Sequence, residues 1–350
     1  MAIHHPQMAS HVSRRWTYRA AVVSLAVVIA SSLFPSGANA SQAQVTGTPP
    51  AATLVYEKNF PDPTVLVVDH TYYAYSTNSN GENVPVIESN DLTHWKAIGD
   101  AMSVLASWAT RGYVWSPSVT VAPRGGYELF FSAYDESEGV QCLGRATSSS
   151  PLGPFVDVSN EPFLCQASAG GSIDPSVVQF EGVDYLVWKS DGEAGQAQTI
   201  LSARLSADDT ELIGPTSTLL SASESWEDGT IEGPAFVEVS GVLYLYFSGN
   251  QWSTAQYGIG ETTCTSPLGP CASASVEQVS ASSNAASGAG GPSFFVTNGQ
   301  IYMVFAAWVD GIIGNESGHR AMFLIARDAK TTLRRTSTLA ATTRRRDRST

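Results

Sequence analysis

A proline-led pair of apolar strands recurs five times along this chain, and no other feature narrows the fold so far. The copies read DPTVLVVDHTYYAYST from Asp62, SPSVTVAPRGGYELFFSA from Ser116, DPSVVQFEGVDYLVWKSD from Asp174, GPAFVEVSGVLYLYFSG from Gly233 and GPSFFVTNGQIYMVFAA from Gly291. Their prolines stand at 63, 117, 175, 234 and 292, a spacing of 54, 58, 59 and 58 residues. Each copy has two runs of strand-forming residues joined by a turn, such as Glu181-Gly182 in the third. A hairpin unit repeated at this period, with an aromatic at a fixed place, is a β-propeller blade, so the chain is expected to be all-β with five blades. Tyr75, Phe131, Trp188, Phe247 and Phe305 hold the same position in successive copies, which makes Trp188 a blade-core residue. The next position is Ser76, Ser132, Lys189, Ser248 and Ala306, and Lys189 breaks its run of small residues. Lys189 reads two ways: a functional cation, or a lysine extending into solvent.

The flanks read differently. Residues 1–40 carry Arg14, Arg15 and Arg19 ahead of the apolar run AAVVSLAVVIASSLF and the small-x-small triplet Ala38-Asn39-Ala40, the layout of a signal peptide. The run is short for a membrane span and is followed by Pro35 and Gly37. SRRW at Ser13 looks like a twin-arginine signal, but Thr17 and Tyr18 fit it poorly, and ordinary secretion is the reading. Loss of those three arginines, with no acid lost, moves the net charge from −13 to −16. So acidic a surface argues against nucleic acid or an anionic membrane as partner. Residues 41–58 form a lead-in whose Leu54, Val55 and Tyr56 could supply a ring-closing strand, residues 59–330 the propeller, and residues 331–350 a basic, disordered tail. Four cysteines in a secreted chain suggest two disulfides. Pairing Cys142 with Cys165 and Cys264 with Cys271 closes a loop within one blade each time. A metal site would want neighbouring histidines and shorter cysteine spacing. Asn315-Glu316-Ser317 is a glycan acceptor sequence.

In a propeller the first strand of each blade lines the axis, so residues some 60 positions apart become neighbours. The residues leading into the five prolines are Pro61-Asp62, Trp115-Ser116, Ile173-Asp174, Glu232-Gly233 and Gly290-Gly291. Three of the five pairs carry a carboxylate. Taken singly, each acid is explained as a turn former at a loop-to-strand junction. Taken together they are not, because Ser116 and Gly291 show that the turn needs no acid. Like charges gathered at one mouth raise each other's pKa, which suits a reaction needing one protonated and one ionised carboxyl. Hydrolysis of a glycosidic bond is such a reaction, with an acid for the leaving oxygen and a base for water.

The motifs, in order, carry a resemblance. PDP at Pro61, SNDLTHW at Ser89, WSPSV at Trp115, SPLGPF at Ser150, IDPSV at Ile173 and IEGPAF at Ile231 resemble glycoside hydrolase family 43 over roughly Asn59 to Arg327. That resemblance implies a five-bladed propeller hydrolysing arabinose- and xylose-containing plant polysaccharides or oligosaccharides with inversion. It implies that Asp62 is the general base, that Glu232 is the general acid, and that Asp174 raises the pKa of that acid and holds its orientation. It further implies that Arg320 in GHRAMFL hydrogen-bonds the innermost sugar; the other reading is a strand-surface arginine. Trp115 would stack on a sugar or pack beneath the rim. Trp108, Trp226 and Trp252 fall in loops where sugar platforms are common, and Trp95 is structural.

The match has gaps. Arabinan-cleaving members often hold an axial metal ion or water cluster with a histidine in the fifth blade. AGGPSFF at Ala289 has none, and His319 is out of register, so no metal and no cofactor are expected. Within the family, an α-L-arabinofuranosidase or arabinanase is expected by overall resemblance of the QCLGRATSSSPLGPF…LC arrangement, with a β-xylosidase as alternative. The chain ends soon after the fifth blade, without the β-sandwich of many xylosidases. A monomer is expected. Outside the family, a carbohydrate-binding propeller that has lost catalysis predicts damage to one of the three acids, and all three are present. A scaffold for protein partners predicts a large exposed apolar patch.

Overall fold

Each repeat folds into the innermost hairpin of a sheet. In four of the five, a two-residue turn with consecutive positive φ joins the first two strands: Asp69-His70, Glu181-Gly182, Ser240-Gly241 and Asn298-Gly299. Two left-handed residues in a row give the turn whose twist matches that of antiparallel strands. The computed structural model describes residues 52–192, 198–272, 277–280, 286–314 and 318–327. The expected signal peptide, the sequon at Asn315 and the basic tail fall outside the described residues.

Five antiparallel sheets follow in chain order. Blade 1 is β2 (Thr64–Val68), β3 (Thr71–Tyr75), β4 (Pro85–Ser89) and β5 (Lys96–Asp100). Blade 2 is β6 (Ala109–Val121), β7 (Tyr127–Asp135) and β8 (Val140–Ser148), flanked by bridges from Val156 and Leu164 in place of a fourth strand. Blade 3 is β9 (Ser172–Phe180), β10 (Val183–Ser190), β11 (Thr199–Leu205) and β12 (Leu212–Ser221). Blade 4 is β13 (Ile231–Val239), β14 (Val242–Gly249), β15 (Gly258–Cys264) and β16 (Glu277–Ser280). Blade 5 takes β17 (Ser287–Thr297), β18 (Gln300–Trp308) and β19 (Arg320–Arg327), and its outer edge is β1 (Thr53–Tyr56) from the start of the propeller. The lead-in strand thus closes the ring. Among the described residues the only helical elements are two single 3₁₀ turns, Ala167–Ala169 and Ser225–Glu227.

The core is divided among the five blade interfaces, one apolar cluster to each. Tyr75, Phe131, Trp188, Phe247 and Phe305 are all buried, as their shared register requires. Each such ring is worth about 1.5–3 kcal/mol over an exposed one. Trp188 also donates its indole N–H to Gln166 Oε1 at 2.8 Å, so no polar atom is stranded there. The cysteines pair as Cys142–Cys165 and Cys264–Cys271.

Candidate active site

The same backbone device opens every inner strand. The residue before each repeat proline has left-handed φ: Asp62 at 51°, Ser116 at 47°, Asp174 at 56°, Gly233 at 57° and Gly291 at 63°. In blades 2 to 5 the strand register slips at this point, so the residue sits in a β-bulge that re-aims the side chains around it. A non-glycine residue held this way costs of order 1–3 kcal/mol. Contacts from the preceding blade offset that cost. Ser116 N donates to Thr77 Oγ1 at 2.9 Å, Asp174 N to Ser132 Oγ at 3.0 Å, and Gly291 N to Ser248 Oγ at 2.9 Å. In blade 3 the latch position is Lys189, and there the Asp174 carboxylate takes over, accepting from Gly233 N at 2.8 Å.

These bulges bring Asp62, Asp174 and Glu232 to one axial cavity of about 990 Å³, lined by the leading residues of all five inner strands. Asp62 accepts from Thr77 Oγ1 at 2.6 Å and from the Arg320 guanidinium at 3.2 and 3.5 Å. Asp174 accepts from Ser116 Oγ at 2.6 Å. Glu232 is held at both oxygens, by the Tyr257 hydroxyl at 2.7 Å and the Lys189 ammonium at 3.0 Å. Two glycines make room for this. A Cβ on Gly290 would lie 1.9 Å from the Tyr257 ring, and one on Gly291 would lie 2.9 Å from Asp62 Oδ1.

The proton does not rest where the sequence implies. Burial alone would push Glu232 up, but Lys189, Tyr257 and Arg320 outweigh it and hold the carboxyl below the usual range. Asp174 moves the other way: burial first, then the negative charge of Glu232, push it up to about 7. Expecting Asp174 to raise Glu232 left out the Lys189 ammonium 3.0 Å from Glu232. Of the two, Asp174 takes the first proton.

Lys189 lines the cavity, with its ammonium committed to carboxylates. Its side chain is 3% exposed, and its ammonium is given to Glu232 and, at 3.4 Å, to Asp191. Burial opposes its charge, yet Glu232, Asp174 and Asp191 together hold its pKa above the ordinary lysine value. Trp115 and Arg320 do line the cavity. Arg320 also lies 5.0 Å over the Trp252 ring, which stacks on Trp308. Trp252 lines the cavity as well, whereas Trp108 stacks on Phe131 and Trp226 on Phe247, which makes those two blade packing rather than sugar platforms. Trp95 packs against the core between blades 5 and 1. Tyr257 escaped the sequence reading because it lies outside the repeat; its one signal is the glycine at 290. A histidine-held axial ion does not fit here. The space at Gly290 is filled by Tyr257, and among the described residues no group of three His, Cys, Asp or Glu side chains could hold a metal.

A sequence model of glycosyl hydrolases family 43 matches residues 53–326, the whole propeller. The chain belongs to this family. It is therefore a glycoside hydrolase, a chemistry that uses a pair of carboxyl groups. Among curated relatives, a beta-D-galactofuranosidase of Aspergillus niger is 26% identical over 276 residues, covering 75% of this chain and 77% of that protein. An arabinoxylan arabinofuranohydrolase of Bacillus subtilis is 28% identical over 256 residues, covering 60% of this chain and 48% of the relative. The crystal structure of a thermostable family-43 glycoside hydrolase superposes with a TM-score of 0.68 at 24% identity, covering 77% of this chain and 93% of that one.

Proposed function

We propose that the protein is a secreted, inverting hydrolase that releases arabinofuranose from plant polysaccharides or oligosaccharides. The observation that carries the reading is the convergence of Asp62, Asp174 and Glu232 on one cavity, with the Lys189 ammonium on Glu232. Glu232 gives its proton to the glycosidic oxygen as the bond from C1 to that oxygen breaks. Asp62 takes a proton from the water that attacks C1 from the opposite face, and the released sugar is inverted. Asp174 holds the proton of the pair up to about pH 7, and Glu232 must take it up before passing it to the leaving oxygen. Two curated relatives act on furanosides by name, a galactofuranoside and the arabinofuranose of arabinoxylan, which supports a five-membered ring in this cavity. The two disulfides and the apolar leader support export.

The test is hydrolysis of 4-nitrophenyl α-L-arabinofuranoside beside the β-xyloside, with wild type and Glu232→Gln. The arabinofuranoside is expected to be the better substrate, the released sugar to appear first as the inverted anomer by NMR, and Glu232→Gln to lose activity at least a hundredfold, on the order of a general acid's contribution. Preference for the xyloside transfers the reading to β-xylosidase. Full activity in Glu232→Gln overturns the acid assignment.

A further inference from the structure

Aromatic surface continues outward from the cavity beyond anything the three acids and Arg320 use. Trp115 lines the cavity, and Tyr113, two residues earlier on β6, carries the same face outward with its ring centroid 6.4 Å from that of Trp115. Tyr134 of β7 lies beside Tyr113 at 5.6 Å. The residues between them, Val114 and Ala133, pair across the strands and pack into the core between blades 1 and 2. Alternation along a strand therefore places the three aromatics on the opposite face. Tyr113 is 49% exposed, although the blade-core aromatics are fully buried.

We propose that Trp115, Tyr113 and Tyr134 form a ledge that binds the sugar units of a polymeric substrate beyond the ring being cleaved. Sugar rings present an apolar face of C–H groups with hydroxyls at the rim. Tyrosine offers a rigid flat face with few torsions to freeze, and its hydroxyl remains in water. A neutral polymer also meets no repulsion from a chain of net charge −13, unlike a nucleic acid. Continuity with the cavity fixes the occupant as the same chain that places a glycosidic bond at Glu232. The inference rests on the furanosidase reading and adds the direction in which the polymer leaves the site, over blade 2.

The experiment compares kcat/KM on soluble arabinoxylan with kcat/KM on 4-nitrophenyl α-L-arabinofuranoside for wild type, Tyr113→Ala and Tyr113→Phe. In Tyr113→Ala the ratio of the two is expected to fall about fivefold, equivalent to roughly 1 kcal/mol of binding, and Tyr113→Phe is expected to retain it. An unchanged ratio in Tyr113→Ala overturns the ledge, and so does an equal loss in Tyr113→Phe. A wild type that cleaves no furanoside sinks the functional reading instead. The ledge is then judged by retardation in a native gel containing arabinoxylan, where wild type and Tyr113→Ala migrating alike overturns it. Thermal unfolding of each variant separates loss of the ring from loss of the fold.

Discussion

Lys189 decides where the proton of this site rests. Its ammonium lies 3.0 Å from Glu232 and holds the pKa of that carboxyl below the usual range, while Asp174, buried and facing the same anion, is pushed up to about 7. Catalysis by Glu232 needs a proton in the pair, so kcat/KM is expected to fall as pH rises through about 7. Lys189→Met removes the cation and leaves a stem of similar length. Both carboxyls then hold protons more tightly, so the alkaline limb should move to higher pH. With Glu232 no longer oriented, kcat at pH 6 should fall roughly a hundredfold. A limb that stays in place in Lys189→Met, measured as a kcat/KM profile, removes the lysine from the proton account. Lys189 stood out in the sequence as the misfit in a row of small residues, but its partner did not. Glu232 is 43 residues away and meets it only because the next blade's bulge turns inward. Tyr257 was illegible for a stronger reason: its hydroxyl contact depends on the absence of a side chain at Gly290 in another blade.

At the level of elements, two of the small residues that Lys189 interrupts, Ser132 and Ser248, are latches between blades. Ser132 and Ser248 each accept the N–H of the next blade's left-handed residue, and Thr77 does the same from one position further along its blade. The repeat made the serine positions visible and gave the five blades, the inner hairpins and the shared aromatic site. What the serines bind was hidden, because a strand pattern records which face a side chain takes and not which atom lies across the interface. Ser132→Ala leaves the Asp174 N–H without its partner inside the protein, a loss of about 1–3 kcal/mol. Urea unfolding should show a lower midpoint with an unchanged slope. Activity should fall too, since the same bond sets the backbone of Asp174. A variant as stable as wild type would show that the latch is dispensable.

Across the whole molecule, a ring of blades is only as strong as its interfaces, and that between blades 2 and 3 carries a second titrating cluster. Glu128 of β7 is fully buried and accepts from Arg145 at 2.8 Å. Arg145 also donates to the Asp208 carbonyl in the loop between β11 and β12, and Arg124 pairs with the Asp208 carboxylate at 2.6 Å. Asp209 faces Glu128 across the interface, with Asp184 adding negative charge nearby. Burial, then Asp209, push Glu128 up to about 8, against the pull of Arg145. Burial likewise raises Asp209. One proton between the two carboxyls joins the blades; without it two anions face each other in a dry interface. Groups with raised pKa stabilise the fold most below their ordinary values and lose that contribution as pH rises through the raised one. Asp174 acts in the same direction near 7. The urea midpoint is therefore expected to decline from about pH 5 to about pH 8 and to level off above it. In Glu128→Gln the amide can still donate to Asp209 and no longer titrates, so the decline between pH 7 and pH 8 should flatten even though the variant is less stable at pH 6 for want of the Arg145 pair. A wild-type midpoint level across that range, or a Glu128→Gln slope equal to that of wild type, means that the blades are held by their apolar clusters alone and that the carboxyl pair contributes nothing to the closure of the ring.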